Sequence, residues 1–176
     1  MPASQSLAVD ISMTPEAADP PRALEVFKEA MASLASGVAV VTGVDPESGP
    51  CGMTVTSIAS YSAKPPSVIV CVDESTRSYR GMTEGDYFAV HLLSEDQPDV
   101  ARLFATKVDD KFEKCECVAG PHGLQLIAGS LATLICRRSF VTTHGDHAIV
   151  IGTVVDGSVE DRQPLVYWRR EFSGRR

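Results

Sequence analysis

The hydrophobic positions near the start of the chain follow the period of a helix. Between residues 22 and 35, apolar side chains recur at offsets of three and four, at Leu24, Phe27, Met31 and Leu34. This spacing predicts an amphipathic helix. Residues 1–21 are rich in Pro, Ser, Ala and acidic side chains, a composition typical of a disordered tail. The pattern therefore predicts one domain, over residues 22–176.

Most of the remaining chain has the pattern of strands. Short β-branched runs between clusters of turn residues predict strands over 37–44, 49–60, 67–73, 87–93, 130–143 and 147–160. The first two runs are expected to pair as a hairpin, and a tight turn at 144–146 joins the last two. Residues 106–128 show no regular pattern. Many strands, few helices and no alternation of strand with helix predict a mainly β fold, a closed or nearly closed antiparallel barrel.

Two further helices are predicted between these strands. One covers residues 75–84, with Ser75 or Thr76 as its N-cap. The other is opened by the Ser-Glu-Asp-Gln stretch at 94–97, which has the spacing of a capping box, and runs through Phe104.

Net charge and hydropathy restrict the partners of the protein. The chain has 23 acidic and 16 basic residues, a formal net charge of −7, and no basic stripe, so nucleic acid is not an expected partner. The longest apolar runs have the length of strands, and the first residues lack the features of a signal peptide. We therefore expect a cytoplasmic protein without a membrane partner.

The five cysteines are odd in number and scattered, which favours reduced thiols in the cytosol over a disulfide framework. Cys115 and Cys117, with His122 nearby, suggest part of a metal site. Their spacing is C-x-C, and no second pair of ligands follows. A loop on the solvent side is the favoured interpretation, and no metal is predicted.

Two hydroxyl-rich stretches are the candidates for chemistry, because the sequence contains none of the common catalytic or nucleotide-binding motifs. The predicted strand at 49–60 carries Thr54, Thr56 and Ser57, which are poor material for a hydrophobic core. The second stretch, DESTRS at 73–78, runs from a strand end into a predicted helix N-terminus. Free backbone N–H groups there suit a phosphate, although a helix cap alone would also explain one Ser or Thr.

Several separate motifs, in order, carry a resemblance to a known family. They are FKEAMASLASGVAVVTG, GMTVTSIASYSAKPPSVIVCVDESTRS, FAVHLLSEDQPDVARLFA, DKF, GDHAIVIGTV and PLVYWRREF, which together extend from about residue 23 to residue 172. The chain resembles the short-chain flavin reductases that serve two-component flavin-dependent monooxygenases. The resemblance implies an FMN-binding split β-barrel. Because the edges of an open split barrel need covering, we expect a homodimer.

The resemblance also implies where a flavin would bind. A flavin is an apolar plate with a rim of N and O atoms, so its site needs small side chains and hydrogen-bonding groups. The positions that match the flavin-binding stretches of the family are Thr54, Val55, Thr56, Ser57, Cys71, Val72, Asp73, Arg77, Ser78, Leu103, Phe104, Lys111 and Phe112. Asp73, Arg77 and Ser78 belong to the group expected to hold the phosphate of FMN or FAD.

A second set of positions is implied to bind NADH or NADPH. His147 lies in the GDH motif, and the C-terminal match supplies Trp168, Arg169, Arg170 and Glu171. A histidine in a turn is commonly just a solvated hairpin residue, and that alternative stays open. Relatives often carry Gly in place of Arg170 and Asn in place of His91, so the chain departs from the family pattern at these two positions.

The resemblance implies an NAD(P)H:flavin oxidoreductase that supplies reduced FMN or FAD to a separate flavin-dependent monooxygenase. Hydride passes between the two cofactors, so no protein residue is expected to act as a nucleophile or an acid. One alternative is a flavin-binding carrier or electron-transfer barrel without turnover, which would have no use for His147. Another is a dimeric barrel without a ligand, whose hydroxyl groups are solvated.

Overall fold

The computed structural model describes residues 21–173, and side chains from residue 22. The predicted tail over 1–21 lies outside the described residues, except that Pro21 begins the first helix. The elements are α1 Pro21–Ser33, β1 Ser36–Gly37, β2 Ala39–Asp45, β3 Gly49–Val55, β4 Ile58–Ala63, β5 Pro66–Asp73, α2 Tyr79–Thr83, β6 Tyr87–Leu92, α3 Pro98–Ala105, β7 Cys117–Ala119, β8 Gln125–Ile127, β9 Ala132–His144, β10 His147–Val159, β11 Val166–Trp168 and β12 Glu171–Ser173. The mainly β prediction is confirmed. None of the helices in this part of the chain is long and apolar enough to cross a membrane.

Seven strands form one antiparallel sheet in the order β3-β2-β6-β9-β10-β5-β4. The hairpin of β2 with β3 pairs Asp45 with Gly49, and the hairpin of β9 with β10 pairs His144 with His147. Both hairpins were predicted from the sequence. At the second, Gly145 has a φ of 61°, a conformation that glycine adopts without strain.

The connection between β3 and β4 requires this sheet to close on itself. These are the two edge strands, yet only residues 56–57 separate them in the chain. Such a connection spans at most about 11 Å between the flanking Cα atoms. In a flat sheet of seven strands, the edges would lie about 29 Å apart. The sheet therefore curls until its edges approach one another, and it forms a barrel.

Two hydrophobic clusters make up most of the core, one inside the barrel and one between the barrel wall and α3. A third, small cluster contains Ala89, Leu124 and Ile135. On β5, Val68, Val70 and Val72 point inward, so the intervening Cys71 and Asp73 face the opposite side. Strand β2 is buried on both faces, because alternate residues contribute to the two clusters. Among the buried residues of the outer cluster are Val38, Val40, Leu93, Ala101 and Phe104.

His91, one of the two departures from the family pattern, is fully buried on β6. The Thr42 hydroxyl donates to the carbonyl oxygen of Gln125 at 2.8 Å and lies 3.2 Å from Nε2 of His91. Nδ1 of His91 lies 3.2 Å from the hydroxyl of Thr133. A neutral imidazole with its proton on Nε2 satisfies both contacts, since Thr133 can donate to Nδ1. Burial lowers the pKa of His91 to about 4.

Helix α1 lies on the outside of the barrel with its apolar stripe exposed. Leu24, Phe27, Met31 and Leu34 are 50%, 60%, 49% and 57% exposed. Near its C-terminal end, the helix contacts the small sheet formed by β1, β11 and β12. There the indole N–H of Trp168 donates to the carbonyl of Ser33 at 3.2 Å. The helix forms as predicted, but its apolar face does not enter the core of this chain.

Several predicted boundaries were wrong for identifiable reasons. The strand predicted over 49–60 is two strands that pair at opposite edges of the sheet. Helix α2 begins at Tyr79 and not at residue 75. Ser75 and Thr76 donate their hydrogen bonds to Asp73 and form a turn before the helix. Neither residue is therefore its N-cap.

Helix α3 begins at Pro98, later than the predicted capping box. The Ser94 hydroxyl lies within hydrogen-bond distance of the side chains of Asp96 and Gln97 and of the carbonyl of Gly129, and it does not cap the helix. In the segment predicted as irregular, β7 and β8 form a short hairpin. The predicted solvent-side loop at Cys115 and Cys117 is instead half-buried against the outer cluster.

Candidate functional site

An open cavity of about 290 Å³ lies where the two edge strands of the barrel are joined. Its walls come from the β3–β4 connection, the end of β5 with the turn that follows it, the end of α3, and the first residue of β10. Eleven residues predicted from the sequence line it: Thr54, Val55, Thr56, Ser57, Cys71, Asp73, Arg77, Ser78, Phe104, Lys111 and His147. The fold therefore brings together segments that are more than 90 residues apart in the chain.

The β3–β4 connection presents unpaired donors to this cavity. Thr56 and Ser57 lie outside both ladders, and neither donates its backbone N–H to an acceptor among the described residues. The Thr56 hydroxyl also has no protein partner within that range, whereas Ser57 Oγ donates to the carbonyl of Cys71 at 3.2 Å. Thr54 differs, because its hydroxyl donates to the carbonyl of Ala101 at 2.7 Å and ties β3 to α3. The donors open to a ligand are thus concentrated at residues 56 and 57.

A second group of donors follows β5. The carboxylate of Asp73 accepts the backbone N–H of Ser75 at 2.7 Å, and the hydroxyl of Thr76 donates to the Asp73 carbonyl at 2.8 Å. These bonds hold the turn in place, and the bonds from Ser75 keep the pKa of Asp73 below its ordinary value. The next two backbone N–H groups, of Arg77 and Ser78, have no acceptor in the described part of the chain.

Two positively charged side chains, Lys111 and Arg77, lie beside that turn. The Lys111 ammonium donates to the carbonyls of Gly52 and Phe104, at 3.2 Å each, and has no carboxylate partner among the described residues. Burial, and then the nearby charge of Arg77, lower the pKa of Lys111. Arg77 forms an ion pair with Asp109, an exposed partner. The lining of the cavity therefore includes three cationic side chains, Arg77, Lys107 and Lys111, and the carboxylate of Asp73.

His147, the first residue of β10, also lines the cavity. It pairs in register with Asp73 across β5, and its Nδ1 lies 2.7 Å from Oδ1 of Asp146. The side chain is 46% exposed, so the imidazole is accessible from solvent. His147 therefore shares the cavity with residues 56–57 and lies next to Asp73.

Three predicted residues do not line this cavity. Val72 is fully buried in the inner cluster, because it alternates with Cys71 and Asp73 along β5. Leu103 packs against the outer cluster. Phe112 packs edge-on against Phe104, with ring centroids 5.3 Å apart, and thus supports a cavity wall from behind.

The C-terminal candidates also lie away from the cavity, on α1. Besides the Trp168 contact, the backbone N–H of Arg169 donates to the carbonyl of Ala32 at 2.8 Å. Arg170 approaches Glu29 at 3.9 Å, and Glu171 begins β12. Within one chain these contacts attach the segment to the helix and do not place it against the cavity.

Sequence reasoning missed some lining residues. Thr76, which belongs to the predicted DESTRS stretch, lines the cavity, and so do four residues that were not predicted: Met53, Ala105, Thr106 and Lys107. The last three directly follow the predicted helix end at Phe104, and a site placed at that end would have included them. Among residues 22–173, no group of three or more His, Cys, Asp or Glu side chains is placed to hold a metal ion. The ring of His122 stacks on Tyr87 with centroids 3.6 Å apart.

Comparison with known protein families agrees with this geometry. The model of the flavin reductase like domain matches residues 31–175. The chain belongs to this family. The resemblance inferred from the sequence motifs is therefore confirmed for most of the chain.

Individual relatives support the assignment to the flavin reductase family. The FMN reductase (NADH) SmoA of Agrobacterium fabrum is 37% identical over 141 residues, which cover 80% of each chain. The flavin-dependent monooxygenase reductase subunit HsaB of Rhodococcus jostii is 30% identical over 94% of this chain and 83% of its own. The NADH:FAD oxidoreductase SgcE6 of Streptomyces globisporus, solved in complex with NAD and FAD fragments, superposes with a TM-score of 0.81 at 31% identity, covering 88% of this chain and 93% of its own.

Other family members are longer than this chain. It spans about half the length of two Rhizobium meliloti relatives, 44% of a probable flavin reductase and 57% of a stachydrine N-demethylase reductase subunit. The barrel is thus the unit that these proteins share with the chain.

Proposed function

We propose that this protein is an NAD(P)H-dependent flavin reductase that supplies reduced FMN or FAD to a separate flavin-dependent monooxygenase. The observation that carries the proposal is the cavity at the β3–β4 connection, with its unpaired donors at Thr56 and Ser57. The names of SmoA, HsaB and SgcE6 supply the reaction class, the flavin and the nicotinamide donor by similarity.

The residues of the cavity fit a flavin in three respects. Met53, Val55 and Phe104 provide apolar wall for a ring system. The free N–H groups at Thr56 and Ser57 match a rim of acceptor atoms, which would otherwise be buried without partners. At the other end, Arg77, Lys111 and the free N–H groups of the turn match a phosphate.

The bound flavin supplies the hydride acceptor, and the nicotinamide supplies the hydride. The role of the chain is to hold the two rings at reacting distance and to exclude water. In this proposal the β3–β4 connection orients the flavin by its rim, and Arg77 and Lys111 fix the phosphate end. His147, at the start of β10, orients the nicotinamide. None of these residues takes part in bond making in this proposal.

Turnover separates this function from that of a flavin carrier. The test is oxidation of NADH and of NADPH, followed by loss of dihydronicotinamide absorbance, with FMN, FAD and riboflavin supplied in turn. Steady oxidation with at least one pair of substrates is expected. If the protein bound flavin but oxidised neither NADH nor NADPH with any of the three flavins, its function would be that of a flavin carrier.

We also propose that the protein is a homodimer. The exposed stripe of α1 lies beside an apolar groove of about 580 Å³ between the end of the helix and β4. An apolar surface of this kind is typical of an interface between chains. Light scattering should give twice the chain mass of 18.8 kDa. Phe27→Glu should reduce it to the monomer mass, whereas Val159→Glu, at a residue 77% exposed elsewhere, should not.

A further inference from the structure

A second cavity, of about 500 Å³, adjoins the first at its cationic end. The two share Arg77, Ser78 and Lys111 as lining residues. Beyond this junction, the second cavity is bounded by the β2–β3 turn on one side and by the loop after α3 on the other. The proposed phosphate position is therefore the end of one cavity and the entrance to the next.

The two adjoining cavities match the difference in chemical structure between FMN and FAD. FMN ends in a phosphate monoester, whereas in FAD a phosphoanhydride bond joins the same phosphate to adenosine monophosphate. A flavin with its phosphate at Arg77 and Lys111 directs any extension of that phosphate into the second cavity. The first cavity, at about 290 Å³, lies near the lower limit for small-molecule sites, and the second is well within their range.

The lining of the second cavity suits an adenylate group. Pro50, Val108 and Phe112 offer apolar surface for a purine, and Ser48 offers a hydroxyl near the opening. Asp109 is the only carboxylate among its described lining residues, and Arg77 is its ion-pair partner. Lys111 donates to two carbonyls only, so its charge is available to a pyrophosphate.

We propose that this second cavity binds the adenylate half of FAD and makes FAD the preferred flavin of the protein. The proposal rests on the proposed function, because it assumes that the flavin phosphate lies at Arg77 and Lys111. It adds a site and a choice of substrate that the flavin cavity alone does not determine.

The test is the affinity for FAD, FMN and riboflavin, measured by quenching of flavin fluorescence without a nicotinamide donor. Wild type should bind FAD at least about tenfold more tightly than FMN. Val108→Trp places a large ring into the second cavity from an exposed loop, and should remove this preference while changing the FMN affinity less than about twofold. Val118→Trp, at an exposed valine outside both cavities, is the matched control and should keep the preference.

Ser48→Trp repeats the test from the opposite wall and serves if the first variant fails to fold. AMP should compete with FAD and leave riboflavin binding unchanged. Equal affinities of wild type for FMN and FAD would overturn the proposal, as would an equal loss of both flavins, or of neither, in the folded variants. These outcomes differ from failure of the proposed function, in which the wild type would oxidise neither NADH nor NADPH with any flavin.

Discussion

The buried His91 makes the stability of the barrel depend on pH in a way that can be calculated. Its folded pKa of about 4 lies below the ordinary 6.5 because burial disfavours the charged ring. Between these values the unfolded chain binds a proton that the folded chain does not, so unfolding becomes easier as pH falls. The full effect, reached near pH 4, is about 3 kcal/mol, and about 2 kcal/mol of it is present at pH 5.

Replacing His91 with Asn removes this titration. The shorter amide cannot serve both Thr42 and Thr133, so we expect His91→Asn to lower the free energy of unfolding near neutral pH by about 1–3 kcal/mol. The informative quantity is the change with pH. From about pH 7 to about pH 5, wild type should lose about 2 kcal/mol more than the variant.

The assay is urea unfolding of both proteins at the two pH values, followed by circular dichroism. Carboxylates whose pKa is lowered in the folded state, such as Asp45 and Asp96, also reduce stability as pH falls. They do so in both proteins, so the difference between the two isolates His91. Equal losses in wild type and variant would show that His91 is not held neutral by burial, and would refute the reasoning.

Three further predictions concern the cavity and the core. Thr56→Val should weaken flavin binding by about 1–3 kcal/mol with unchanged stability, whereas Thr54→Val should lower the free energy of unfolding by about 1 kcal/mol. Flavin titration and urea unfolding of both variants check this prediction. If both variants changed flavin affinity and stability equally, the assignment of Thr56 as the ligand donor would be wrong. His147→Ala should leave flavin affinity near wild type and reduce kcat/KM for NAD(P)H by about 10–100-fold. Stopped-flow measurement of flavin reduction tests this; an unchanged rate would mean that His147 is only a solvated turn residue. Gly152→Ala places a methyl carbon against the ring of Phe88 and should lower the free energy of unfolding by about 1–3 kcal/mol. Gly37→Ala, with open space around it, should change that free energy by less than about 0.5 kcal/mol; similar thermal midpoints for the two variants would contradict the packing argument.

The elements that depend on local pattern were predictable from the sequence. The β2–β3 and β9–β10 hairpins follow from β-branched runs separated by turn residues, and the α1 stripe follows from spacing alone. Most of the flavin candidates also came together, because alternation along β5 fixes which residues share a face. Val72 is the instructive exception: the same alternation, applied strictly, would have excluded it.

Features that depend on distant parts of the chain were not predictable. The run 49–60 has strand character throughout, and only closure of the sheet determines that it breaks at residues 56–57. The contacts of Trp168 with α1 join positions 135 residues apart, which no local pattern records. Likewise, spacing identifies an apolar face on α1 but does not tell whether this chain or another one covers it.

The two-residue connection between β3 and β4 also constrains the order in which the barrel can fold. The β2–β3, β4–β5 and β9–β10 hairpins have short loops and can form early, since closing a short loop costs little entropy. Pairing of β2 with β6, and of β5 with β10, joins residues such as Ala39 with Leu92 and Asp73 with His147, and must wait for longer loops to close. Residues 56–57 keep the two edge strands close from the start, but the rest of the barrel wall is complete only when these longer pairings are in place. Because β5 and β10 both line the cavity, we expect the cavity to be complete only after these two strands have paired, although residues 56–57 are neighbours in the chain.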